Sequence, residues 1–138
     1  MKPSIVPADF VDTCWEEVAP MLEKATDRSG GRYNIEDVYE KIVNETAQLW
    51  VMLNGEKIVA AFVTEITTYG QKKMLTVHFA GGSRMKEWLQ KIDDIFRDWA
   101  IDNQCSGIEL TGRKGWVKAL GSLGWEPSFV VVEKRNRS

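Results

Sequence analysis

Along Phe10, Val11, Trp15, Val18, Met21 and Leu22 the apolar side chains return every three or four residues, the period of one helix face, and Pro7 and Asp9 stand where that helix would begin. Ala25 to Tyr33, with Ser29-Gly30-Gly31 inside it, breaks the period and reads as a connection. A second stripe comes next: Ile35, Val38, Tyr39, Ile42 and Val43, led by Asn34 as a capping residue and by Glu36 and Asp37 in the first turn. The pattern then turns from helical to alternating. Asn54-Gly55, which tolerates the positive backbone angles of a tight turn, separates two β-prone runs and predicts a hairpin of Gln48 to Leu53 with Lys57 to Thr67. Lys73 to Ala80 alternates again and stops at Gly81-Gly82, the third strand of a meander. From Ser83 the helical period resumes through Trp88, Leu89, Ile92, Ile95, Phe96 and Trp99, with Lys86, Lys91, Asp94 and Arg97 on the other face, and it fades near Asn103. GIELTG then reads as a short strand, VKALGSLG as a short helix stopped by Gly124, SFVVVEK as a closing strand and RNRS as a solvated tail.

A strand, a crossover helix and a strand make a parallel pair. The expected architecture is therefore α/β in the α+β sense: a mostly antiparallel mixed sheet with a parallel pair at its centre and about four helices around it. The 138 residues suit one domain spanning 1–138, since a chain of this length buries roughly two-thirds of its surface. Apolar residues at 43% and charged residues at 28% place it among globular proteins and not disordered ones. A net charge of -2 supplies no general attraction for a polyphosphate backbone, so nucleic acid is not the expected partner. No segment is long and apolar enough for a membrane span, and MKPSIVPADF lacks the apolar core of a signal peptide. Cys14 and Cys105 match no metal or redox spacing, which fits reduced thiols and a cytoplasmic setting.

The order strand, two helices, meander, long helix, strand, short helix, strand resembles the GNAT acyltransferase superfamily along nearly the whole chain. Locally the likeness rests on the hairpin WVMLNGEKIVAAFV, the turn between VHFAGG and the long helix, and KALGSLGW. GRKGWVKALGSLGW is also similar to the end of small GNAT-like proteins of phages and prophages. The resemblance implies acetyl-CoA as cofactor, an amine acceptor, and a cofactor wedge where two parallel strands splay. In this chain it assigns the pyrophosphate to Phe79, Ala80, Gly81, Gly82, Ser83 and Arg84, with Arg113 as a further phosphate contact. The physical basis is that amides at a helix amino terminus lack intrahelical partners and favour anions. Two departures stand out. The family's turn is an arginine or glutamine, two residues, glycine, one residue, then glycine or alanine, whereas His78-Phe79-Ala80-Gly81-Gly82-Ser83 puts histidine first and serine last. Where the family often has a tyrosine as general acid, four residues before the closing glycine, this chain has Leu120.

Acyl transfer to an amine needs a base. Glu65, His78 and Glu109 are the candidates; Glu109 lies between Ile108 and Leu110 and so projects to the opposite sheet face. Each has a plainer reading: a solvated strand end for Glu65, a structural imidazole or phosphate contact for His78, an arginine-paired or solvent-facing carboxylate for Glu109. With a single histidine and no ligand-spaced cysteines, neither a metal site nor a serine triad is expected. Two functions remain open. One is an acyl-CoA-dependent N-acyltransferase, weakened by the missing acid; the other is a non-catalytic, phage-encoded GNAT-like protein that acts through a protein partner. Either suits a monomer or homodimer.

Overall fold

The computed structural model describes residues 1–112 and 115–136. Strand β1 (Lys2–Val6) leads into a 3₁₀ segment (Ala8–Thr13) and helix α1 (Trp15–Thr26), then α2 (Ile35–Val43), the meander β2 (Gln48–Asn54), β3 (Lys57–Thr68) and β4 (Lys73–Gly82), the long α3 (Met85–Asp102), β5 (Gly107–Leu110) and α4 (Gly115–Gly121). The first predicted helix is thus two pieces with a break at Cys14. Its apolar spacing survives the break, because Val11, Val18 and Leu22 all enter one core. Asn34 and Asp37 close a reciprocal capping box on α2: the Asn34 side chain accepts from the Asp37 amide at 2.9 Å and Asp37 accepts from the Asn34 amide at 2.8 Å.

The sheet runs β1-β2-β3-β4-β5, antiparallel except for the parallel pair β4–β5. Two cores separate its faces. The 3₁₀ segment, α1 and α2 cover Leu49, Val51, Ala61 and Val63, while α3 covers Trp50, Phe62, Leu75 and Val77. The aromatic side chains of the second core meet edge to face, Phe62 with Trp88 at 4.9 Å and Trp50 with Phe96 at 5.3 Å.

The end of the chain differs from expectation. Helix α4 closes as Gly124 suggests: this residue has φ 88°, its amide reaches the Gly121 carbonyl, and the Trp125 amide reaches that of Leu120. Ser128–Lys134, by contrast, joins no strand. Its β-branched composition favours a strand, but a strand also needs a neighbour to take its hydrogen bonds. The parallel pair expected at the centre consequently lies at one side, with β5 outermost among the described residues.

A register shift interrupts the ladder between β3 and β4. Val63 pairs with Phe79 and Thr64 with Val77, which leaves His78 as the extra residue of a β-bulge. Before it, Leu75 and Val77 face α3. After it, Phe79 faces α1 and α2 while Ala80 returns to the α3 side. The bulge therefore turns His78 and Phe79 onto the same layer.

Candidate functional site

Strand β5 pairs with β4 only from Met74 to Val77 and ends at Leu110, whereas β4 runs on to Gly82. Beyond Val77 the two strands have parted. The Ser83 amide donates to the Val59 carbonyl at 2.9 Å; with Gly82 opposite Ala60 and Gly81 opposite Ala61, the antiparallel alternation commits the backbone of Phe79, Gly81 and Ser83 to β3. It turns the N–H and C=O of Ala80 and Gly82 into the gap left by β5. This row ends at α3, whose leading residue Arg84 (φ 62°) carries no side-chain cap. Among the described residues, the amides of Arg84, Met85 and Lys86 have no partner.

The glycines of this turn have a structural cause. A Cβ on Gly81 would lie 2.0 Å from the Met21 carbonyl oxygen of α1, and one on Gly82, at φ 135°, would lie 2.4 Å from the Val59 oxygen and 2.5 Å from the Ala60 Cα. Close contact with α1 and β3 alone demands them, so their presence is no sign of a ligand. The Arg84 guanidinium grips the Glu87 carboxylate through Nε and Nη2, which holds the Glu87 pKa below its usual range. A negative side chain thus stands at the mouth of the amide row. Trp88 holds the turn from below, its Nε1 donating to the Ser83 carbonyl at 2.7 Å.

On the opposite face Glu65 and His78 meet. Glu65 Oε1 accepts from Lys41 Nζ at 2.9 Å and lies 3.1 Å from His78 Nε2. A carboxylate only accepts, so the Nε2 of the ring carries a proton and a neutral imidazole has its lone pair on Nδ1. The Tyr33 ring stands 6.3 Å from that of His78. Tyr33 and Lys41 also line an open cleft of about 400 Å³ with Arg32, Asp37, Glu40 and Asn44. Sequence reading missed Lys41 and Tyr33; Lys41 is only the basic residue of a last helical turn, and nothing in its spacing announces Glu65. Glu109 stands apart from this group. Ile108 and Leu110 pack toward α3, and Glu109 accepts a hydrogen bond from the Tyr69 phenol at 2.7 Å, which raises the Tyr69 pKa.

The remaining residues pack. Leu120 is the buried residue of α4, 6% exposed. Trp116 and Trp125 are half-buried and edge a crevice of about 30 Å³ with Val77, Ala80 and Leu110, and Trp125 Nε1 donates to Asp93 at 2.6 Å. Arg113, expected at the phosphates, and its neighbour Lys114 lie outside the described residues. No group of three metal-ligating side chains occurs among the described residues, and no helix there is long and apolar enough to cross a membrane.

No protein-family model matches the chain and no curated protein matches its sequence. Solved structures do match its architecture. The ribosomal-protein-alanine N-acetyltransferase from Brucella melitensis biovar Abortus 2308 superposes with a TM-score of 0.73 at 11% identity, over 99% of this chain and 100% of that one. A predicted acetyltransferase from Clostridium acetobutylicum, solved with acetyl-CoA, gives 0.71 at 11% identity over 97% and 95%. An aminoglycoside N-acetyltransferase in complex with CoA gives 0.71 at 10% identity over 99% and 95%. The chain has the GNAT fold. At these identities the likeness is one of architecture, and the GNAT fold by itself leaves the chemistry to the site residues.

Proposed function

We propose that the protein is an acyl-CoA-dependent N-acyltransferase that transfers an acetyl group to a small-molecule or protein amine. The observation that carries this reading is the exposed edge of β4 at Ala80 and Gly82, continuous with the unpartnered amides of Arg84, Met85 and Lys86. Ala80 and Gly82 would hold the amides of the pantetheine arm, as a neighbouring strand would, and the α3 amides would hold the pyrophosphate. The donor set fits the group: alternating backbone donors and acceptors, then donors alone. Bound acetyl-CoA supplies an activated thioester carbonyl. His78 Nδ1 takes the proton from the acceptor ammonium and so frees the nucleophilic amine, while Glu65 orients the ring and Lys41 balances the carboxylate. The open cleft beside Tyr33 receives the acceptor. Leu120, buried where the family often has an acid, has no proton to give, so protonation of a leaving thiolate would fall to water.

The test is turnover of acetyl-CoA with a panel of amines, comparing the wild type with His78→Ala. The variant should lose about 10²-fold or more in kcat with acetyl-CoA affinity unchanged. Equal turnover by the two proteins would remove His78 as the base. A second reading, a non-catalytic GNAT-like protein acting through protein contact, is favoured by one observation, the exposed apolar run at Phe129–Val132.

A further inference from the structure

Phe129, Val130, Val131 and Val132 stand 79%, 85%, 64% and 91% exposed, one after another. In extended chain, successive side chains point to opposite sides, so a layer laid on one face would cover only alternate members of this run. A sheet neighbour packed between two layers covers both. The run presents on the order of 500 Å² of apolar surface, toward the upper end of the 300–600 Å² that the largest patch of a monomer ordinarily shows. Both flanks of the run are tied to the chain's own body. Trp125 Nε1 bonds Asp93 of α3 at 2.6 Å, and Glu133 Oε2 accepts from Arg32, in the connection between α1 and α2, at 2.7 Å. These ties reach opposite faces of the sheet and hold the four residues out in solvent.

The fold also has the complement. Strand β5, one of the two edge strands of the sheet among the described residues, is half-buried along its length, and its outer row of N–H and C=O groups meets no strand there. An edge of this kind is a template for another strand. It has four residues, the length of the apolar run, with Ile108 and Leu110 on one face and Glu109 on the other.

We propose that the two features complete each other between two copies of the chain: Ser128–Glu133 of one copy adds to the outer edge of β5 in the second, and the reciprocal addition closes a symmetric dimer. A partner of the same sequence supplies an unsatisfied edge and an unsatisfied strand together, which is the self-complementarity a two-fold interface requires. Two such additions bury on the order of 1,500 Å², the size of a stable interface. The proposal is independent of coenzyme A binding.

Size-exclusion chromatography with light scattering, at tens of micromolar protein, tests it. The wild type should run at twice the chain mass, and Val130→Lys combined with Val132→Lys should run at the chain mass with its circular dichroism and cooperative melt retained. Val131→Pro, which removes a strand N–H without adding charge, should also be monomeric, and it decides the matter if the double variant fails to fold. A monomeric wild type overturns the proposal, since the run would then lie alone or on its own chain's β5. So do a dimer that survives both substitutions and an open-ended assembly in place of a closed pair.

Discussion

Trp88 and Trp99 lie three turns apart on the same helix and suffer the same substitution in very different circumstances. Trp88 is 3% exposed, stacks edge to face on Phe62 at 4.9 Å, and donates from Nε1 to the Ser83 carbonyl at 2.7 Å. In Trp88→Phe this part-buried hydrogen bond is lost and the carbonyl keeps only solvent as a partner, at about 1–2 kcal/mol. The smaller ring leaves a void worth about 1 kcal/mol more. The sum, about 2–3 kcal/mol, lowers the melting midpoint of a domain this size by roughly 7–12 °C. Trp99 also packs edge to face, on Trp50 at 5.4 Å, but its buried Nε1 has no hydrogen-bond partner among the described residues. Trp99→Phe opens a similar void and removes a donor that was costing stability where it stood, so the two effects offset to within about 1 kcal/mol. Thermal melts of both variants, followed by circular dichroism with urea titration as a second probe, give the comparison. A Trp99→Phe loss equal to or larger than that of Trp88→Phe would refute the reasoning, because only the hydrogen bond ranks them in this order.

Two further outcomes rest on the side-chain pairs. Glu87→Gln removes the negative charge at the mouth of α3 and releases Arg84, so acetyl-CoA affinity, read by calorimetry at low salt, should rise several-fold and the gain should shrink as salt is added; weaker binding would mean that the anion sits elsewhere. Tyr39 donates to Asp12 at 2.5 Å and Tyr69 to Glu109 at 2.7 Å, and each bond raises its phenol's pKa. A raised folded-state pKa means that this stabilisation is fully present below the ordinary phenol pKa and is lost as pH climbs through the raised one. Absorbance titration near 295 nm should therefore show late phases that disappear one at a time in Tyr39→Phe and Tyr69→Phe; phases unchanged by both would show the bonds to be absent.

Most of the fold was legible because its signals are local and periodic. Asn34 with Asp37, Asn54-Gly55 and Gly124 each act within a few residues, and the strand and helix periods survive the break at Cys14. The closing strand was misread for the complementary reason: Phe129 to Val132 have strand propensity, but a strand is a relation between two segments, and propensity says nothing of the second. The candidate site was legible in part. Glu65 and His78 each stand out in the sequence, yet their meeting depends on one extra residue in β4, and a register shift leaves no mark in composition or period. Lys41 was missed because it reaches Glu65 across 24 positions of sequence. The Gly81-Gly82 pair was read as a place where an anion could approach, whereas contact with α1 and β3 already requires both glycines.

The central claim is that the edge of β4 past Val77 and the first amides of α3 form one continuous seat for a phosphorylated thioester. Amide chemical shifts of the isotopically labelled protein, followed as acetyl-CoA is added, test it residue by residue. The largest changes should fall on Ala80, Gly82, Arg84, Met85 and Lys86, with Gly81 and Ser83, already bonded to β3, moving less. Unchanged spectra at millimolar acetyl-CoA, or changes confined to other surfaces, would contradict it.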